Sequence, residues 1–190
     1  MNSFPLPKLS HFGIYVWDLE KMVKFYTMLF GLKVTDRGEA FVFKNTLVFL
    51  SADPGAHHQL VLSSGRPRDA LFSTVMQMSF KVQDLKMLRL ICDSAPTLGA
   101  TKVRGVNHGN SISIYFLDPE GNTVEAYLDT DYYVAQPHAD PLDLTKTDEE
   151  IMRDTEANCR ADGSFMPVAE WRKKFSAPNA DALYLPKEGP

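Results

Sequence analysis

The feature that most restricts how this chain can fold is a repeat of its own pattern. His11-x6-Asp18-Leu19 returns 66 residues later as Gln77-x6-Asp84-Leu85. At the same offset Ile14, Val16 and Leu19 meet Phe80, Val82 and Leu85, and Gln59 meets Glu125. Asp53-Pro54 meets Asp118-Pro119 one residue short of it. Self-similarity at a fixed offset means that one supersecondary unit is used twice. Leu9 to Val16 alternates like a half-buried strand, with His11, Gly13 and Tyr15 on one face and Phe12, Ile14 and Val16 on the other. Asp18 suits an N-cap, Met22, Phe25, Tyr26 and Leu29 follow at helical spacing, and Gly31 is a natural stop. Short strands are predicted over 32–36, 40–43, 46–51 and 57–63, with a turn at Asp53-Pro54-Gly55. After a polar linker at 64–70 come a strand over 75–82, a helix over 84–95 and strands over 101–107, 111–117 and 122–128. The unit used twice is therefore β-α-β-β-β.

A chain of 190 residues that is 44% hydrophobic can bury one globular core and is too short for two large domains. Its net charge of -4 comes with no basic stripe, which argues against nucleic acid as a partner. No apolar run has the length of a membrane span, so no membrane partner is expected. The N-terminal MNSFPLPKLSHF has no charged segment leading into an apolar one, so a signal peptide is not expected and a cytoplasmic location is. Cys92 and Cys159 then read as idle thiols in a reducing compartment.

Chemistry concentrates in residues 106–129, VNHGNSISIYFLDPEGNTVEAYLD. Ser111 to Phe116 reads as a strand and Asp118-Pro119-Glu120-Gly121 as a turn, Pro fixing φ and Gly accepting the unusual one. Asn122 to Leu128 follows as a second strand, with Thr123, Glu125 and Tyr127 on one face. In such a hairpin Tyr115 and Glu125 lie roughly opposite each other, with His108 one strand upstream. A mid-strand carboxylate flanked by apolar residues is costly to bury unless a cation pairs with it. A metal ion would serve.

Val106, His108, Ile114, Tyr115, Asp118, Pro119, Gly121 and Glu125 fill, at the right spacing, a pattern that resembles the signature of the type I extradiol ring-cleavage dioxygenases. The repeat resembles the paired modules of the vicinal oxygen chelate superfamily (glyoxalase, bleomycin resistance, dioxygenase). The resemblance covers about residues 8–130. It implies an α+β fold in which two βαβββ modules, 8–64 and 72–130, form a cupped mixed sheet around one metal, with a helical extension over 131–190. In that superfamily the ligands come from the first and last strands of the modules, and His11, Gln59, Gln77 and Glu125 are the equivalent positions here. The expected ligands are His11, Gln77 and Glu125, holding Fe(II), with Mn(II) or another divalent ion as the alternative. The dioxygenases have a second His where this chain has Gln77, a weaker and neutral oxygen donor. His58 matches their acid–base residue, with His57 as its structural neighbour. His108 and Tyr115 match the residues that hold a catechol hydroxyl.

The reaction so implied is cleavage of a catechol-type diol, as in 2,3-dihydroxybiphenyl, by dioxygen, in the breakdown of aromatic hydrocarbons. Phe12, Tyr15 and Phe80 would contribute an apolar wall. Two rival readings use the same fold: a glyoxalase-like isomerase or lyase, favoured by the Gln ligand, and a metal-free binding or resistance protein. Residues 131–190 lie outside the repeat. Tyr132, Tyr133 and the run Gln136 to Pro141 read as a strap, on which His138 is expected to be solvated. Thr147-Asp148-Glu149-Glu150 opens a helix to about Cys159 with a capping-box pattern. Pro167 to Phe175 reads as a second helix anchored by Trp171, and the last fifteen residues as loosely ordered. So apolar a tail is expected to cover the cup or to pack on a second subunit of a homo-oligomer.

Overall fold

The computed structural model describes residues 7–70 and 72–176. Its elements are β1 (Phe12–Val16), α1 (Leu19–Phe30), β2 (Lys33–Glu39), β3 (Thr46–Ser51), β4 (Leu60–Ser64), β5 (Met78–Lys81), α2 (Leu85–Ser94), β6 (Thr101–Asn107), β7 (Ser111–Leu117) and β8 (Thr123–Asp129). The extension adds β9 (Tyr132–Tyr133), β10 (Asp140–Pro141), α3 (Asp148–Ala161), β11 (Met166–Pro167) and α4 (Val168–Phe175). The order β-α-β-β-β thus occurs twice, and the mixed α+β class expected from the repeat is the one found. No helix among the described residues is long and apolar enough to cross a membrane. The prediction for the last fifteen residues falls, apart from Ser176, outside the described ones.

The chain divides into two compact units, one drawn from Met1–Met78, Leu90–Val103 and Phe116–Val124, the other from Ser79–Arg89, Arg104–Tyr115 and Glu125–Pro190. In the first, four strands run in the order β1-β4-β3-β2, with β1 parallel to β4 and the other neighbours antiparallel. The alternation read in β1 is real: Ile14 and Val16 are buried while Gly13 and Tyr15 are exposed. On α1, Met22, Val23, Phe25, Tyr26 and Leu29 form the buried stripe. Asp18 caps the helix by accepting from the Lys21 N–H, and Gly31 closes it at φ 67, in the left-handed region that glycine tolerates.

Several predicted strands change: the one read over 9–16 starts at Phe12, which leaves His11 before it, and the one over 32–36 becomes Lys33–Glu39. Residues 40–43 are a turn, because β2 runs on to Glu39, pairs it with Thr46, and leaves Phe41, Val42 and Phe43 exposed at the tip. The strand predicted over 57–63 starts only at Leu60. The Gln59 N–H donates to the Leu50 carbonyl, and its side-chain oxygen accepts from the Ala52 N–H, so 52–59 closes as a loop. The strand predicted over 75–82 shortens to Met78–Lys81.

The Asp-Pro-Glu-Gly turn is a piece of architecture. Asp118 is buried and accepts from the Tyr26 hydroxyl at 2.8 Å, the Glu120 and Asn122 N–H groups at 2.9 Å each, and the Asn122 amide at 2.8 Å. Glu120, also buried, accepts from the Trp17 N–H at 2.8 and 2.9 Å and from the Asp18 N–H at 2.7 Å. It therefore ties the turn to the corner where β1 passes into α1. Arg66 lies 3.6 Å from Glu120, donates to its carbonyl, and covers the Trp17 ring at 3.9 Å.

The second sheet has the order β10-β6-β7-β8-β5. Ile112 and Ile114 on β7 and Val124 and Ala126 on β8 are buried. The extension packs within its own unit: β10 pairs with the end of β6, Asp140 against Asn107, and β9 pairs with β11. Thr147 and Glu150 make both bonds of the expected capping box on α3. Tyr133 stacks on Trp171 at 5.6 Å, and Tyr132 lies 6.2 Å from Phe165. His138 departs from expectation. Its ring is mostly covered, with nitrogens 3.1 Å from Asp140 and 3.7 Å from Asp162.

Candidate active site

The hairpin of β7 and β8 brings Tyr115 and Glu125 together, because a short turn sets their register and strand alternation puts them on one face. The Tyr115 hydroxyl donates to Glu125 Oε1 at 2.5 Å and lies 2.9 Å from His108 Nε2. The other carboxylate oxygen of Glu125 accepts from the Ser79 hydroxyl at 2.6 Å. Glu125 is only 6% exposed, so these hydrogen bonds replace water that the carboxylate has lost. Arg104 places its guanidinium over the Tyr115 ring at 4.8 Å. Ser113, on the face of β7 that carries Tyr115, is fully buried, and its hydroxyl has no partner among the described residues.

A second group lies in the first unit. His11 stands just before β1, and His58 lies in the loop that leads into β4. Their rings are tilted against each other at 4.1 Å, and Phe49 borders His58 at 5.1 Å. The irregular start of β4 makes this possible, since regular alternation would put His58 and Gln59 on opposite faces. His57 Nδ1 is 2.9 Å from His58 Nδ1, one donating to the other, and His57 Nε2 is 3.3 Å from Asp36. Desolvation first, then the charges of His11 and His57, hold the His58 pKa below the usual imidazole value. The neutral form of His58 is therefore favoured.

The structure thus joins His108, Tyr115 and Glu125 in one hydrogen-bonded chain and pairs His11 with His58. Gln59 is used to close the 52–59 loop. Gln77 sits immediately before β5, half-buried. Among the described residues no three His, Cys, Asp or Glu side chains gather to hold a metal ion. The expected set takes its third donor from the Gln77 carboxamide. Sequence reasoning missed Ser79, the neighbour of Glu125. The signal was there: Ser79 lies two residues after Gln77, on the same face of the strand predicted over 75–82.

The model of the Glyoxalase/Bleomycin resistance protein/Dioxygenase superfamily matches residues 8–126. No curated protein matches the chain in sequence. Among solved structures, a glyoxylase/bleomycin resistance protein/dioxygenase domain from Frankia sp. EAN1pec is 22% identical, with 70% of this chain and 96% of that one covered and a TM-score of 0.56. The fosfomycin resistance protein FosX from Listeria monocytogenes, solved with Mn(II) and sulfate, is 20% identical over 66% of this chain and 94% of its own, with a TM-score of 0.51. FosX from Mesorhizobium loti is 24% identical over the same shares, also at 0.51. At these identities the likeness is one of fold.

Proposed function

Because the chain belongs to the Glyoxalase/Bleomycin resistance protein/Dioxygenase superfamily, we propose that it is a metal-dependent enzyme that opens a catechol-type aromatic ring with dioxygen, next to the two hydroxyls. The observation that carries this reading is the chain from His108 through Tyr115 to the buried Glu125. It gathers the three chemistry-bearing residues of the dioxygenase-like signature in a hydrogen-bonding order that suits holding a diol.

The donor chemistry fits a divalent ion. Each oxygen of Glu125 accepts a short hydrogen bond from a hydroxyl, a partner that a metal ion can displace. His11, Gln77 and Glu125 would hold the ion as one imidazole, one carboxamide oxygen and one carboxylate. Two oxygens and one nitrogen lean towards Mn(II), whereas the two-His-one-carboxylate set is typical of Fe(II) oxygenases. The Mn(II) in the Listeria FosX structure is compatible with that choice. When bound, such an ion supplies Lewis acidity that makes a chelated diol more acidic, and open positions for dioxygen. The protein's own part is proton handling and orientation. His58, whose neutral form is favoured, takes a proton before it can return one during ring opening. His108 and Tyr115 hold the hydroxyl.

The test is anaerobic preparation with Fe(II) or Mn(II), metal analysis, and oxygen uptake with a catechol panel read at the yellow ring-fission product. Metal retention with stoichiometric oxygen uptake supports the proposal. Gln77 favours one other reading, a glyoxalase-like isomerase or lyase, which would bind the metal and consume no oxygen. Metal-free protein that still binds small molecules would mean a binding protein.

A further inference from the structure

His108 is held from behind by the segment that follows the repeat. Its Nδ1 lies 2.7 Å from the main-chain oxygen of His138. A carbonyl oxygen only accepts, so Nδ1 carries a hydrogen. In the neutral ring Nε2 is then the lone-pair nitrogen, and Nε2 is the atom turned to Tyr115. We infer that Gln136–Asp140 is a positioning strap that fixes His108 in the Nδ1–H tautomer, so that Nε2 accepts a hydrogen bond from a diol hydroxyl. The inference rests on the proposed site, in which His108 holds the diol.

The strap is tied on every side. The Gln136 carboxamide donates to the His108 carbonyl at 2.8 Å and accepts from the His138 N–H at 3.1 Å, so one side chain links strap and histidine. The His138 ring is set between Asp140 and Asp162. Asn158, on α3, donates to Asp140 at 3.1 Å, and Asp140 pairs with Asn107, the neighbour of His108. Gly109 lets Val134 and Cys159 approach so closely that a Cβ there would meet them at 2.5 and 3.0 Å.

The tautomer has a chemical consequence. The Tyr115 hydroxyl has one hydrogen and faces both Nε2 of His108 and Glu125 Oε1. That hydrogen lies towards Oε1 in the structure; with Nε2 as an acceptor the hydroxyl can turn it to either side, and a diol O–H that takes the place of Tyr115 can donate to Nε2. With Nε2–H the ring could only donate, and would recognise an oxyanion instead. The strap therefore selects a protonated hydroxyl over an oxyanion. Gln136 and His138 act through His108 and are positioning residues.

The test is nitrogen-15 NMR of histidine-labelled full-length protein without metal or diol, about two pH units above the ordinary imidazole pKa of ~6.5, with His108→Phe to assign the signal. His108 should show a slowly exchanging hydrogen on Nδ1 and a bare Nε2. Gln136→Ala should lose that protected signal and admit the Nε2–H form, with kcat/KM towards a catechol falling by roughly 10–100-fold, as when the partners behind a ligand histidine are removed. An Nε2–H ring in the unmutated protein, or a Gln136→Ala spectrum unchanged from it, overturns the inference. If Gln136→Ala does not fold, the spectrum of the unmutated protein decides. Turnover of a catechol with His108 in the Nε2–H form would sink the strap alone. The Nδ1–H form with no turnover of any diol would sink the proposed reaction and leave the strap standing.

Discussion

Glu120 occupies the unconstrained position of the Asp-Pro-x-Gly turn, yet the structure gives it heavy duty. Its side chain is 4% exposed, and that of Arg66, its ion-pair partner, 6%. Glu120→Ala would leave two main-chain donors, the Trp17 and Asp18 N–H groups, without their acceptor. Each costs about 1–3 kcal/mol when buried and unpaired. It would also leave the Arg66 charge without its partner, and breaking a buried pair from one side costs about 3–5 kcal/mol. These losses overlap, because the same desolvated corner is counted in each and water can enter once the side chain is gone. The expected total is about 4–6 kcal/mol, a large part of a stability of about 5–15 kcal/mol. Glu120→Gln keeps an oxygen for the N–H groups and loses only the charge, so about 2–3 kcal/mol is expected. Urea unfolding followed by circular dichroism measures both. Arg66→Met in the Glu120→Gln background should recover part of the loss, since the uncompensated cation is gone. A Glu120→Ala protein within about 1 kcal/mol of the unmutated one would refute the reasoning.

Gly109→Ala forces a Cβ onto Val134 and Cys159 at φ +72, so about 1–2 kcal/mol from the left-handed backbone and about 1–3 kcal/mol from overpacking should be lost, read by the same unfolding assay. Burial first, then the charge of Asp118 and its hydrogen bond, hold the Tyr26 hydroxyl well above its ordinary pKa, while in the unfolded chain it ionises near ~10. The folded pKa being the higher, this contribution is complete below pH ~10 and is lost as pH rises towards the folded value; Tyr26→Phe should flatten that alkaline decline, and equal declines in both proteins would count against it. In the proposed ligand set of His11, Gln77 and Glu125, Gln77→His would give two His and one carboxylate, so metal analysis after loading from an Fe(II)/Mn(II) mixture should show the iron share rise.

The repeat was legible because it is written in core positions. Ile14 and Val16 are buried, as alternation requires, and Met22, Phe25, Tyr26 and Leu29 form the buried stripe of α1. Caps were legible for the same local reason: Asp18, Gly31 and Thr147 act on their own neighbours within four residues. What failed was decided at longer range. Phe41-Val42-Phe43 is as apolar as a strand, but the pairing of β2 with β3 places it at the tip of their hairpin. Gln59 sits where a strand was predicted, and its side chain reaches back to Ala52, so the strand starts late. No periodicity encodes either event.

The signature over residues 106–129 shows why a motif names a family more readily than it names roles. Val106 and Ile114 are core, and the other six of its eight constrained residues fall into two physically different sets. Asp118, Pro119 and Gly121 build the turn, and Asp118 spends its hydrogen-bonding capacity on Tyr26, Glu120 and Asn122. His108, Tyr115 and Glu125 form the hydrogen-bonded chain. In the sequence both sets look alike, polar residues among apolar ones, and only the partners separate them. A carboxylate whose acceptor sites are filled by main-chain N–H groups is committed to the fold. Glu125 accepts from the hydroxyls of Tyr115 and Ser79, groups that can rotate and be displaced by a stronger partner. That difference in partners, invisible in the residue pattern, is what sets Glu125 apart from Asp118 and supports its place in the proposed site.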